Sequence, residues 1–175
     1  MEADWEVEVG GGAPVIEALW PGFVDLRLHP ERIGEIQETA ALPALAGLLM
    51  ALNGARSSVW TAKCDLWEPE ANELACYVDL LPVAGAVFAH WEQAEVFCRE
   101  LAARLAPVPL LDCRLDLVVR QALAGAADGF GVTATLSARG QDRSGAAETL
   151  AAALVAFAGA IPPAASPETA ASKLQ

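Results

Sequence analysis

Four cysteines and two histidines offer the most varied chemistry in this chain. Cys64, Cys76 and Cys113 fall on inward positions of alternating runs, and Cys98 falls on an apolar helical stripe. Thiolates converging in one core could hold zinc in a closed tetrahedral site. Structural zinc ligands usually stand roughly two to four residues apart, and no Cys-x-x-Cys occurs here. Free cysteine also packs well as a small hydrophobe. The thiols are therefore expected to be buried, reduced and metal-free, and no cofactor is expected.

The histidines are too few for a three-histidine metal site. His29 shares strand parity with Asp25 and Arg27, and a histidine beside a carboxylate can act as a general base. His90 lies beside a helical stripe that starts at Trp91. The run Gly129-Phe130-Gly131-Val132-Thr133-Ala134 imitates a dinucleotide loop, yet it opens a strand and offers no helix N-terminus to a phosphate. A Walker loop and a GxSxG elbow are both missing.

A larger group of candidates follows from alternation. The outward parity of the strands collects Asp25, Arg27 and His29; Thr61, Lys63, Asp65 and Trp67; Tyr77 and Asp79; Arg114, Asp116 and Arg120; and Thr133, Thr135, Ser137 and Arg139. Opposed charges across a sheet stabilise it by roughly 0.2–1 kcal/mol per pair. Trp67 and Tyr77 add aromatic surface of the kind enriched at contacts. Arg27, Lys63, Asp65, Trp67, Tyr77, Arg114, Asp116 and Arg120 are thus the candidate ligand or partner contacts. For acid–base chemistry, Arg27, Arg114 or Arg120 would hold an anion, and His29, Asp25 or Asp79 would move a proton.

These residues need strands to carry them. Residues 57–82 read as a hairpin: Trp60, Ala62, Cys64 and Leu66 share one face, Leu74, Cys76, Val78 and Leu80 another, with a turn at 68–72. Pairing Trp67 with Glu73 would set Cys64 opposite Cys76. Residues 5–9 could form an edge strand ended by Gly10-Gly11-Gly12. Residues 14–20 and 23–29 read as strands around Pro21-Gly22. Pro30 suits a first helical position, and Pro43 precedes a stripe of Leu45, Leu48, Leu49 and Leu52 closed by Asn53-Gly54. A helix over 87–106 places Trp91, Ala94, Cys98, Leu101 and Leu105 on one apolar face. Strands over 112–121 and 130–138 flank a turn at Asp128-Gly129. A last helix capped by Ser144 buries Leu150, Leu154, Phe157 and Ile161.

The order is strand-strand-helix three times, in units of roughly 14–54, 57–106 and 110–161, and the period of about fifty residues is compatible with duplication. It predicts an α+β fold: an antiparallel sheet of about six strands with three main helices on one face. One domain over 1–161 is expected, with a small, polar, disordered tail over 162–175.

The net charge is −12 with a pI near 4.4, so the chain is repelled by nucleic acid and by anionic membrane surfaces. The same charge suits a basic partner. The acidic N-terminus is unlike a secretory segment, and the apolar run over 40–52 carries Pro43 and is too short to cross a bilayer. A cytoplasmic location is expected. No nucleophile, metal set or cofactor loop stands out, which weighs against an enzyme. The leading reading is a binding or assembly protein whose polar sheet face self-associates or meets a protein partner. The alternative is a small acid–base enzyme, or a carrier for a small anionic ligand, on that face.

Overall fold

Alternation in two long runs generates the centre of the sheet in the computed structural model, which describes residues 1–8 and 15–164. The elements are strand β1 (Glu2–Val7), strand β2 (Ile16–Ala18), a 3-10 helix (Pro30–Glu35), helices α1 (Glu38–Ala41) and α2 (Pro43–Leu52), strands β3 (Val59–Glu70) and β4 (Glu73–Pro82), helix α3 (Trp91–Leu105), strands β5 (Cys113–Ala124) and β6 (Ala127–Arg139), and helix α4 (Arg143–Ala160). The fold is α+β, with strand order β1-β5-β6-β4-β3 and β2 also on the β5 edge.

Helix stripes and inward strand positions meet in one core. Leu45, Leu48, Leu49 and Leu52 of α2, Ala94, Cys98, Leu101 and Leu105 of α3, and Leu150, Leu154 and Phe157 of α4 pack with Cys76, Val78, Leu80, Leu115, Leu117, Val119, Val132, Ala134 and Leu136. Burying each such leucine contributes roughly 1.5–3 kcal/mol. Pro43 starts α2, since a first-turn N–H has no helical partner to lose. Asn53 fastens its end: the amide Nδ2 donates to Leu49 O at 2.8 Å and Thr61 Oγ1 at 2.7 Å, and Oδ1 accepts from Thr61 N at 3.1 Å. The cap of α4 is Asp142, whose Oδ1 accepts from Gly145 N at 2.9 Å, and not Ser144.

The sheet is mixed rather than antiparallel. β3, β4, β6 and β5 pair antiparallel, but β1 and β2 run parallel to β5. Alternation fixes which side a residue faces and carries no information on strand direction. A parallel pair needs a long crossover, and the chain between β2 and β5 supplies it. Residues 23–29 are not a strand. Asp25 O accepts from His29 N at 2.8 Å and Asp25 Oδ1 from Arg27 N at 3.1 Å, which folds the segment into turns. Leu26 is buried while Leu28, of the same parity, is 72% exposed. The first unit therefore contributes one short strand, and the strand-strand-helix order holds for β3-β4-α3 and β5-β6-α4.

Both hairpins are tighter than expected. β3 runs on to Glu70 through Pro69, which an edge strand tolerates, and only Ala71 and Asn72 lie between the strands. β5 and β6 pair out to Ala124 and Ala127, with Gly125 at φ +61°. The longer β3 shifts the expected register by two residues, so Cys64 opposes Val78 and Cys76 opposes Leu66. A bulge between Thr61 and Cys64 also turns part of β3 over. Thr61, expected outward, bonds Asn53. Trp60 and Ala62, expected inward, join a second cluster with Ile16, Ala18, Leu81, Val87, Ala122 and Ala124, and Phe23 packs against it. The expected strand end at Val9 and Gly10-Gly11-Gly12 lies outside the described residues, as does the tail beyond 164. Residues 162–164 are bound: Ser58 N donates to Pro162 O, and Ala164 N to Arg56 O.

Gly131 lies where the second cluster touches the sheet. A Cβ there would stand 2.9 Å from Ile16 Cδ1 and from Leu81 Cδ2. Gly131→Ala is expected to destabilise the protein by about 1–3 kcal/mol through overpacking. Gly47, exposed in α2, has open space around its Cβ position, so Gly47→Ala should stabilise by roughly 0.5–1 kcal/mol. Urea denaturation of both variants checks the pair.

Candidate functional site

The strand register brings outward side chains from four strands to one place. Lys63 comes from β3, Tyr77 and Asp79 from β4, Val118 and Arg120 from β5, and Thr133 and Thr135 from β6. With Val15 they line a cleft of about 300 Å³. Thr133 stands opposite Asp79, Thr135 opposite Tyr77, and Gly131 opposite Arg120.

Asp79 is the unusual group. It is only 4% exposed and accepts one hydrogen bond from a described residue, Thr133 Oγ1 to Oδ1 at 2.6 Å. Burial pushes its pKa up to about 6, against the Thr133 hydrogen bond and the charges of Lys63 and Arg120. Burial also raises the Tyr77 hydroxyl, with the carboxylates of Asp79 and Asp65 adding to it. Lys63 Nζ lies 5.4 Å from the Trp20 ring centroid. Among the described residues it has no carboxylate within ion-pair distance. A second hollow of about 370 Å³ shares Lys63 and Tyr77 and is walled by Trp20, Phe23, Val24 and residues 35–38.

Of the four arginines expected on the outward face, Arg120 lines this cleft, and each is paired with a carboxylate. Arg114 Nε donates to both Asp116 oxygens at 2.8 and 2.9 Å, and its Nη1 to Glu2 at 2.8 Å. Arg120 pairs with Glu8 at 3.0 Å, and Arg139 with Glu73 at 3.1 Å. Arg27 donates to Asp25 at 2.9 and 2.7 Å, holding its carboxyl below the ordinary value, and stacks 3.7 Å from the Trp60 ring centroid. Asp65 is opposite Tyr77 and accepts from Leu66 N. Trp67, 39% exposed, lies with its ring centroid 6.3 Å from that of Tyr77.

Of the acid–base candidates, only Asp79 lines the cleft. His29 faces Glu31 at 3.3 Å, both exposed, and Asp25 is held by Arg27; neither lines either hollow. Sequence reasoning named Thr133 and Thr135 as outward but did not single them out, and it missed Val15, Val118 and Trp20. The signal for Thr133 was its opposition to Asp79, legible only once the hairpin registers are known.

Cys76, Cys98 and Cys113 are buried, Cys64 is half-buried, and none is in a disulfide. Burial pushes the Cys64, Cys76 and Cys98 thiols up to about 12 and raises Cys113. Among the described residues no group of three or more His, Cys, Asp or Glu side chains could hold a metal ion, and no helix is long and apolar enough to cross a membrane. No family model, curated protein or solved structure matches this chain.

The buried carboxyl has a pH signature. Its folded value of about 6 exceeds the ordinary 3.8, so the native state binds the proton more tightly than the unfolded chain. Below both values Asp79 is neutral in either state and changes nothing; above both, the buried charge destabilises the fold by about 3 kcal/mol. Asp79→Asn should therefore match wild type near about pH 3 and exceed it by up to about 3 kcal/mol near about pH 8. Urea melts across this range test the difference. A constant gap would show that Asp79 titrates normally.

Proposed function

We propose that the chain is a non-catalytic binding protein, with α2, α3 and α4 on one side of the sheet and a basic protein partner held on the other. The observation that carries this reading is the state of the arginines. Arg27, Arg114, Arg120 and Arg139 each face a carboxylate of their own chain. They are not waiting for an anionic substrate. Asp4, Glu6 and Asp65 are in no direct ion pair among the described residues. The surplus on this face is acidic, as is the whole chain.

The β1 edge concentrates that surplus. Asp4 and Glu6, preceded by the Arg114-paired Glu2, follow one another along one side of a strand that, among the described residues, pairs only with β5. Trp5 is exposed there and lines a groove of about 200 Å³ together with Asp4, Glu6, Arg114 and Asp116. An extended segment could add to such an edge through backbone hydrogen bonds. A second copy would set two acidic edges against each other, and edge charges are a known barrier to such pairing. A basic segment meets attraction instead. In the acid–base alternative His29, Asp25 or Asp79 would move the proton; of these Asp79 lines the cleft, while His29 and Asp25 lie outside it.

A short synthetic peptide alternating lysine and valine tests the reading, with tryptophan fluorescence as the readout. It is expected to bind, to weaken as salt rises, and to bind at least about tenfold less well to an Asp4→Lys/Glu6→Lys variant, a loss of about 1.4 kcal/mol. A glutamate–valine peptide should not bind. Equal binding of the two peptides, or a dimeric solution mass that the double variant leaves unchanged, would reject the basic partner.

A further inference from the structure

The Asp79 cleft is not explained by the fold or by a partner on the β1 edge. A hydrophobic residue at position 79 would fill the same space without a desolvated carboxylate. Thr133 occupies Oδ1. Asp79 Oδ2 accepts nothing from a described residue and is not sealed from the cleft. The charged and titratable groups around it come from each neighbouring strand: Lys63 from β3, Arg120 from β5 with Glu8 beyond it, and Tyr77 on β4 itself. Asp65 and Glu38 act on Tyr77 and Cys64.

The free ammonium selects the occupant. Arg120 is paired with Glu8, whereas Lys63 lines the cleft and is in no ion pair among the described residues, Asp65 and Glu38 included. A cationic ligand would face Lys63 and Arg120. A monoanion would meet the Lys63 ammonium, and a protonated Asp79 could donate a short, charge-assisted hydrogen bond to it. Thr135 and Tyr77 offer hydroxyl donors, while Val15, Val118 and the Tyr77 ring supply an apolar wall. The volume is at the low end for ligand sites.

We propose that this cleft binds a small organic monocarboxylate and that Asp79 takes up one proton from solvent as it does so. The ligand carboxylate lies against the Lys63 ammonium and accepts the Asp79 proton in a hydrogen bond, and its hydrocarbon part rests on the apolar wall. No covalent step is involved. The site is independent of the basic partner: the cleft test uses Asp79 and Lys63, the partner test uses Asp4 and Glu6, and either can fail alone.

Calorimetry with benzoate in two buffers of different ionisation enthalpy tests the proposal. Wild type should bind with uptake of nearly one proton at about pH 7.5, and affinity should rise up to roughly tenfold per unit as the solution is acidified toward about pH 6. Asp79→Asn retains a neutral donor, so it should still bind benzoate, with no proton uptake and a flat pH profile. Lys63→Met should weaken binding at least about tenfold, as loss of a charged partner does. Far-ultraviolet circular dichroism establishes that each variant is folded. A peptide ending in a free valine carboxylate, compared with its C-terminal amide, separates a chain terminus from a free acid as the source, and binding of either carboxylate supports the site. Failure of wild type to bind either carboxylate would overturn the proposal. So would unchanged proton uptake in Asp79→Asn, full affinity in Lys63→Met, or, where the peptide binds, equal binding of its amide.

Discussion

Trp60 and Lys63 are three residues apart, and in an unbroken strand they would point to opposite faces. The bulge between Thr61 and Cys64 puts both on the same one. Much of the sheet's second face depends on this inserted step. Before it, Val59 joins the main core and Thr61 is tied to the end of α2 through Asn53. Trp60 and Ala62 meanwhile receive Ile16 and Phe23 from the N-terminal segment. After it, Leu66 returns to the main core, while Lys63, Asp65 and Trp67 stay on the far side.

The second face is therefore divided. One end is apolar and covered, with Arg27 stacked on Trp60 and Trp60 Nε1 donating to Pro82 O at 3.0 Å. The other end is polar and open. Asp79 sits toward the middle of it, where neighbouring strands exclude water but do not provide a cation at bonding distance. This is why its carboxyl is displaced upward while that of Asp25, clamped by a guanidinium, is displaced downward. The same contrast separates the arginines from Lys63. The pairs of Arg114 and Arg120 link β5 to the acidic N-terminal segment, and they serve the parallel edge before they serve any ligand.

Amino-acid pattern alone determined much of the core. The stripe of Leu45, Leu48, Leu49 and Leu52, the stripe of Ala94, Cys98, Leu101 and Leu105, and the inward sets Leu115, Leu117, Val119 and Val132, Ala134, Leu136 are buried as their periods require. These periods are local: a helix repeats every 3.6 residues and a strand every two whatever lies beyond it. The outward placement of Lys63, Tyr77, Asp79, Arg120, Thr133 and Thr135 was legible for the same reason.

What tertiary structure decided were the relations between runs. Parity is blind to direction, so the parallel pairing of β1 and β2 with β5 was invisible. It is also blind to one inserted residue, so the bulge that reverses Trp60 and Thr61 could not be read. Phe23 to His29 alternates as a strand does, yet turn hydrogen bonds from Asp25 and the indole of Trp60 claim it. Asp79 as a polar strand residue was evident from the chain. Asp79 as a buried carboxyl beneath Lys63 and Arg120 was not, because burial and electrostatic coupling arise only when four separate strands are brought into one register.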